Sequence, residues 1–133
     1  MSVLGSFVLP HPPLLVTEVG HGEELSISET VKSVQAIANK IAQLKPDTII
    51  LSSPHAPFYQ ESFFISSEPE ESGSLARLDA PMVRLTTKTD MEFVELLCKK
   101  NRNLKASISP HELDHGTIVP LSFIAKAYPN IKF

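Results

Sequence analysis

Two histidines follow apolar stretches of the sequence, each at the point where its stretch ends. His11 comes after residues 3–9 and lies among prolines, and His55 comes after residues 48–51 and directly follows Pro54. Proline stiffens these loops, and open parallel sheets bind ligands beyond the carboxyl ends of their strands. Neutral imidazole is a good ligand for iron, zinc, copper or nickel. If the strands are neighbours, the two imidazoles converge on one divalent metal ion; the alternative is that each histidine is an ordinary polar residue of a surface turn.

A third histidine stands in the segment Asp114-His115-Gly116. Asp114 could orient the imidazole of His115 through a ring nitrogen, and Gly116 allows a close backbone approach, an arrangement that suits a general acid or base. The alternative is an Asx-type turn with an exposed imidazole, because aspartate and glycine are common in turns. The remaining histidines, His21 and His111, are expected to be solvated loop residues.

A metal site requires more than two imidazoles, and the sequence does not single out the further ligand. The acidic residues that could provide a carboxylate share no spacing signature; they are Glu18, Glu23, Glu61 and Asp79. Gly20-His21-Gly22 lacks the glycine spacing and the following lysine of a phosphate loop. The sequence also shows no Gly-x-Ser-x-Gly nucleophile elbow and no cysteine-histidine nucleophile pair. The histidines are therefore the main candidates for chemistry.

The elements that position these residues follow from the hydrophobic pattern. Residues 3–9 are almost wholly apolar and predict a strand, which the following prolines end. Residues 26–44 carry apolar side chains at intervals of three and four, with Ser26 and Glu29 at capping-box spacing, which predicts an amphipathic helix. A turn and the apolar run 48–51 predict a second strand, parallel to the first. The expected fold class is α/β, with a mostly parallel or mixed sheet and flanking helices.

The rest of the chain predicts shorter elements. Thr89 begins a helix with Glu92 at capping-box spacing, and Pro120 opens a helix that extends to Ala127. An acidic stretch without periodicity, residues 68–78, is expected to be a surface loop. The remaining predicted strands are residues 63–66, 81–85 and 105–108.

The C-terminal residues 131–133 look like the start of a strand that does not continue. In an α/β protein a helix normally leads into the next parallel strand, so we expect residues 1–133 to be a single domain that is incomplete at its C-terminus. An uncovered sheet edge beginning near Ile131 would favour self-association, which predicts a homo-oligomer.

Composition limits the class of protein. The 133 residues include 42% hydrophobic and 20% charged side chains, a globular composition, and their formal charge of -3 offers no positive field for a nucleic acid. The lone cysteine, Cys98, fits a reducing cytoplasm. No apolar run reaches the ~18 residues of a membrane span, and the N-terminus lacks the basic residues of a signal peptide. We expect a cytoplasmic protein without a nucleic-acid or membrane partner.

Three separated motifs carry a resemblance to a known family. They are Pro10-His11-Pro12-Pro13, then Lys45-Pro46-Asp47-Thr48 leading into Ser53-Pro54-His55, and Asp114-His115-Gly116 within residues 113–121. In this order along the whole chain, they resemble the catalytic, LigB-type domain of the class III extradiol ring-cleavage dioxygenases. Within that family, the chain is most similar to the LigB-like proteins associated with the AmmeMemoRadiSam system, which are related to the Memo proteins.

The resemblance implies an iron(II) centre held by two histidines and one carboxylate, with a catechol-type aromatic diol and dioxygen as substrates. His11 and His55 match the two metal-binding histidines. His115 matches the histidine of the Asp-His-Gly motif, which implies an acid/base or substrate-positioning residue beside the metal rather than a ligand, with Asp114 behind it. The family's carboxylate comes from a later part of the domain. This chain alone is therefore expected to bind metal weakly and to show little or no dioxygenase activity.

Two further functions remain open for the same residues. A Memo-like scaffold would bind a metal or a partner without cleaving a ring, and a zinc-dependent hydrolase would use the same two histidines for zinc. A catechol assay with added iron(II) separates the dioxygenase from both, and the identity of the metal separates the hydrolase.

Overall fold

A computed structural model describes residues 2–55, 59–107, 112–129 and 131–133. Its α-helices are α1 (Thr17–Gly20), α2 (Ser28–Leu44), α3 (Met91–Lys100) and α4 (His115–Ala127). Its strands are β1 (Phe63–Ser66), β2 (Glu70–Leu75), β3 (Ala80–Lys88) and β4 (Leu104–Ser107), and 3-10 helices occupy Pro13–Leu15, Glu23–Ile27 and Ala76–Leu78. No helix in the described part of the chain has both the length and the apolar character needed to cross a bilayer.

Helix α2 forms where the sequence places its apolar stripe, and it supplies one side of the core. Its buried residues recur at intervals of four and three and so lie on one face; they are Val34, Ala38 and Ile41. The predicted capping box is wrong, because Ser26 belongs to the preceding 3-10 helix. There the hydroxyl of Ser26 donates to the carbonyl oxygen of Glu23, and α2 begins only at Ser28.

Helix α4 packs against α2 and is buried along most of its length, including all of residues 116–121. It begins at His115, whereas the sequence predicted a start at Pro120. The reason is Asp114, whose carboxylate accepts a hydrogen bond from the backbone N–H of Thr117 at 3.1 Å and so caps the helix. Pro120 lies in the second turn instead of the first, which shows that its position alone does not mark the start.

The strands form two pairs, one parallel and one antiparallel. β1 and β4 run parallel in register from Phe63 opposite Leu104 to Ser66 opposite Ser107. β2 and β3 are antiparallel neighbours. The predicted strands at residues 63–66 and 81–85 are confirmed, and β4 covers the described part of the strand predicted at 105–108. The predicted α/β class, with parallel and antiparallel strand pairing and flanking helices, is therefore confirmed.

The loop predicted for residues 68–78 is wrong, since this stretch contains β2 and the 3-10 helix Ala76–Leu78. The composition of β2, rich in glutamate, serine and glycine, does not favour a strand. Pairing with β3 satisfies its backbone, and Gly73 and Leu75 are buried in alternation along it. A partner that lies farther along the chain thus decides the structure of a segment that has little propensity of its own.

The two extended runs that lead to His11 and His55 are not the buried parallel strands that the sequence predicts. No described residue forms a backbone hydrogen bond with residues 3–9, and Val3 and Val8 are 90% and 94% exposed. Residues 48–51 contribute one isolated bridge, from Thr48. The predicted unit of strand, helix and parallel strand is therefore an extended segment, α2 and a second extended segment, and no described residue pairs with the first of these segments.

The uncovered edge predicted near Ile131 is not found there. Lys132 forms parallel bridges with Thr48 on one side and with Lys88 on the other. The carbonyl oxygen of Lys132 also accepts a hydrogen bond from the N–H of Ile49 at 2.9 Å. The C-terminal residues therefore lie between two neighbours and join the segment before His55 to the end of β3.

Helix α3 begins at Met91, because the carboxylate of Asp90 accepts a hydrogen bond from the N–H of Phe93 at 3.2 Å. The start predicted at Thr89, with Glu92 completing a capping box, is therefore displaced along the chain. The helix ends at Lys100, and Asn101 follows its last turn.

Candidate metal centre

Three imidazoles converge at one end of the molecule. The nitrogen atoms that His11, His55 and His115 offer as ligands all lie within 4.8 Å of one another. The Nε2 atoms of His11 and His55 are 3.3 Å apart, and the ring centroids of His55 and His115 are separated by 4.3 Å. Two bonds of ~2.1 Å to a shared ion span at most ~4.2 Å, so the separation of the first pair is one that a single ion can bridge.

His11 is held by the proline turn that follows it. Residues Pro13–Leu15 form a 3-10 helix, and the N–H of Leu15 donates to the carbonyl oxygen of Pro12 at 3.0 Å. The side chain of Leu15 is buried in the core. Because proline fixes the backbone angles of this turn, the half-buried ring of His11 starts from a rigid and anchored segment.

His55 is held by a hydrogen bond within its own loop. The N–H of His55 donates to Oγ of Ser53 at 3.2 Å, a local side-chain to backbone turn. The hydroxyl of Ser53 in turn donates to Oδ1 of Asp114 at 2.8 Å. This pair of contacts ties the loop that carries His55 to the helix that carries His115.

His115 is the first residue of α4. Its backbone position is fixed by the cap at Asp114 and by the buried turn that follows it. Among the described residues, no hydrogen bond joins the carboxylate of Asp114 to the ring of His115; that carboxylate binds Ser53 and Thr117 instead. Asp114 therefore caps the helix, and the predicted hydrogen bond from its carboxylate to a ring nitrogen of His115 is not formed between these two residues.

Gly116 lets the His55 loop rest directly on this helix. A Cβ atom at Gly116 would lie 2.7 Å from Oγ of Ser53, 2.8 Å from Oδ1 of Asp114 and 2.9 Å from Cδ2 of His55. These distances are shorter than carbon can adopt without displacing a neighbour. The close approach that the sequence predicts at Gly116 is therefore present, and it serves the loop of His55.

The three histidines line a solvent-open cleft of about 700 Å³. The rest of its wall is apolar or proline and consists of Val8, Leu9, Pro10, Pro12 and Pro13. The cleft thus combines convergent nitrogen donors with a surface suited to a flat apolar ligand. That His11, His55 and His115 share one cavity was predicted, and it is confirmed; their chemical roles stay predictions.

The donor set fits a divalent transition metal. Three neutral imidazoles suit zinc, iron, copper or nickel, and they do not by themselves choose among these metals. The described cluster contains no carboxylate, so none of the acidic candidates joins it; these are Glu18, Glu23, Glu61 and Asp79. The three rings could therefore bind an ion together, or His11 and His55 could bind it with His115 beside them.

The two remaining histidines do not join the cluster that the structure describes. His21 is exposed and follows α1 with a left-handed backbone, which confirms its prediction as a solvated loop residue. His111 lies outside the described residues. Ser53 belongs to a motif noted in the sequence, but no role was predicted for it. Its local signal is a serine two residues before a histidine, a spacing at which the serine hydroxyl can accept a hydrogen bond from the N–H of the histidine.

Comparison with known proteins identifies relatives of the chain. Residues 5–133 match the family model described as the catalytic LigB subunit of aromatic ring-opening dioxygenase. Protein CA_C1420 of Clostridium acetobutylicum is 39% identical over 144 residues, which cover 99% of this chain and 31% of that protein. The chain thus spans about a third of the length of this relative, whose name states no activity. No solved structure matches the chain.

Proposed function

The chain belongs to the family of catalytic LigB subunits of aromatic ring-opening dioxygenases, and we propose that its histidine cleft is an iron(II) site at which dioxygen opens the ring of a catechol-type diol. The observation that carries the proposal is the convergence of His11, His55 and His115, drawn from three distant parts of the chain, within 4.8 Å. The apolar walls of the cleft would accept the face of an aromatic ring.

In this proposal His11 and His55 hold the metal, because their Nε2 atoms already lie at a separation that one ion can bridge. A bound divalent ion would supply Lewis acidity to the diol oxygens and, as iron(II), the redox chemistry for dioxygen. The reaction breaks one ring carbon-carbon bond beside the diol and leaves both oxygen atoms of dioxygen in the open-chain product. The ring supplies the electrons, so no further reductant is required.

The proposed role of His115 is to move protons. Its half-buried ring contacts that of His55 in the same cleft, within reach of a diol placed there. An imidazole can take a proton from a diol hydroxyl and return it to the opening product. The helix cap at Asp114 and the buried turn after it hold the backbone of His115 in place at the cleft.

Metal binding and ring opening are tested separately. Titration with Co²⁺, followed by visible absorbance, should show binding to the wild-type chain and a loss of at least tenfold in affinity for His11→Ala and for His55→Ala. His21→Asn is the matched control, because asparagine tolerates the left-handed backbone of that exposed position. Equal binding by all four proteins would contradict the proposed site.

For ring opening, the chain is loaded anaerobically with enough iron(II) to saturate a weak site and is then mixed with catechol and dioxygen. Oxygen uptake matched by the absorbance of an open-ring product, above that of free iron(II) and of His11→Ala, supports the dioxygenase. Metal binding without oxygen uptake would favour the Memo-like binding scaffold. Hydrolytic activity restored only by zinc would favour the hydrolase.

A further inference from the structure

The hydroxyl of Ser53 joins two of the three segments that form the cleft. It accepts a hydrogen bond from the N–H of His55 at 3.2 Å and donates one to Oδ1 of Asp114 at 2.8 Å. A serine hydroxyl has one proton to donate and two lone pairs, so it can make both bonds at the same time. The loop of His55 and the start of α4 are thereby linked through one oxygen atom.

The Asp114 side of this link is rigid. Oδ1 of Asp114 also accepts the N–H of Thr117 at 3.1 Å, and Oδ2 lies 3.4 Å from the hydroxyl of Thr117. Thr117 and its neighbour Gly116 are buried. Because this cap is fixed to the core, it provides a stationary point to which Ser53 can attach the exposed loop.

The packing around Gly116 shows that the contact is close as well as hydrogen-bonded. A Cβ there would lie 2.7 Å from Oγ of Ser53 and 2.9 Å from the ring of His55. The ring of His55 therefore lies directly over the first turn of α4, and its centroid is 4.3 Å from that of His115. His55 is itself exposed, so burial in the core does not fix the position of its ring.

We propose that Ser53 is a positioning residue, which sets the place of the His55 ring relative to His115 by anchoring the loop to the capped start of α4. This inference rests on the proposed function, in which His55 is a metal ligand and His115 its neighbour. Partners that orient metal-binding histidines typically change metal affinity by about 10–100-fold when they are removed. Ser53 would act on the ligand through the backbone rather than through the ring.

The matched variants are Ser53→Ala, which removes the hydroxyl, Ser53→Thr, which keeps it, and Ser52→Ala, an exposed neighbour in the same loop. We expect Ser53→Ala to weaken Co²⁺ binding by about 10–100-fold and to alter the visible spectrum of the complex. Ser53→Thr should restore most of the affinity, and Ser52→Ala should match the wild type. If Ser53→Ala binds Co²⁺ like Ser52→Ala, the inference is wrong.

A readout without metal separates this inference from the metal site itself. In the metal-free protein, the imidazole resonances of His55 and His115 should shift in Ser53→Ala and return towards their wild-type positions in Ser53→Thr, while the resonances of His21 stay in place. If the wild type binds no metal but these shifts occur, the proposed function fails and the positioning role stands. A fall in thermal stability of Ser53→Ala without the imidazole shifts would show a merely structural contact and would overturn the inference.

Discussion

The hydroxyl of Thr48 donates a hydrogen bond to Oδ2 of Asp90, across 42 positions of the sequence. Asp90 also caps α3 through Phe93, and Lys132 lies near enough to attract its charge. The hydrogen bond from Thr48, with smaller effects of the cap and of Lys132, lowers the pKa of Asp90 below its ordinary value of 3.8, although partial burial opposes this. One carboxylate thus ties together three segments that meet at the C-terminal residues.

This arrangement predicts a contribution of Asp90 to acid stability. Because the folded pKa is lowered, the contribution is present above the unfolded value of 3.8 and is lost as the pH falls through the folded pKa. Urea unfolding between pH 7 and pH 2.5 should show a smaller loss of stability for Asp90→Asn than for the wild type. Asparagine still caps a helix, so Asp90→Ala should cost about 1 kcal/mol more at pH 7.

Asp47→Asn is the control for this experiment, since it removes an exposed carboxylate from the preceding turn. Asp47→Asn should lose as much free energy of unfolding between pH 7 and pH 2.5 as the wild type does. If the wild type and Asp90→Asn lose the same free energy of unfolding over this pH range, Asp90 does not contribute to the acid dependence of stability.

The local sequence patterns predicted the meeting of the histidines correctly, but they predicted the helices and strands that carry them less well. Proline-flanked loops after apolar runs predict that His11 and His55 meet, and the structure confirms a shared cleft. The bond from Ser53 to Asp114 joins residues 61 positions apart and has no local signature. A hydrogen bond between such distant residues cannot be predicted from either segment alone, because a serine and an aspartate are ordinary residues in loops of this kind.

The elements that the sequence misplaced have different physical origins. β2 is a strand because β3 pairs with it, in spite of a composition that favours a turn. α4 begins at His115 because Asp114 caps it, whereas a proline in the sequence suggested a later start. Residues 3–9 have the apolar composition of a buried strand, yet no described residue pairs with them. Pairing with a distant strand decided β2, the lack of such pairing decided residues 3–9, and a local cap decided the start of α4.

Replacement of Gly116 by alanine should destabilise the protein. Alanine in place of glycine normally stabilises a helix by about 1 kcal/mol, but here the new Cβ would lie within 2.9 Å of Ser53, Asp114 and His55. We expect a net loss of about 1–3 kcal/mol in urea unfolding, typical of overpacking. Asn39→Ala, at an exposed position of α2, should instead raise the free energy of unfolding, because alanine has the higher helix propensity. A Gly116→Ala protein as stable as Asn39→Ala would show that the loop does not rest on the helix.

Replacement of His115 by alanine separates a ligand from an acid/base. If His115 moves protons, His115→Ala at saturating iron(II) should lose about 10²–10⁴-fold in turnover of catechol, while its affinity for Co²⁺ stays near that of the wild type. Titration with Co²⁺ measures the second quantity. A loss of Co²⁺ affinity comparable to that of His55→Ala would instead make His115 the third ligand, as the three-imidazole cluster permits.

The exposed segment of residues 3–9 predicts self-association, in a different place from the edge that the sequence suggested. Val3 is 90% exposed, and the extended backbone around it forms no hydrogen bond with a described residue. Unpaired apolar strands of this kind attract further strands, and lysine prevents this. Light scattering should show a mass that rises with concentration in the wild type and falls back in Val3→Lys. Leu25→Lys, at a 73% exposed position of a 3-10 helix, should leave the mass unchanged.

The chain by itself is predicted to bind iron(II) weakly. The described metal-capable cluster offers three neutral imidazoles and no carboxylate, so no negative charge offsets that of the ion. The protein purified without added metal should therefore contain well under one iron per chain, and iron(II) should be removed readily by a chelator. Stoichiometric iron after purification, together with catechol ring opening at that occupancy, would contradict the prediction. It would mean that the three imidazoles suffice or that another carboxylate completes the site, and Glu61→Gln would then test the exposed acidic candidate nearest to the His55 loop in sequence.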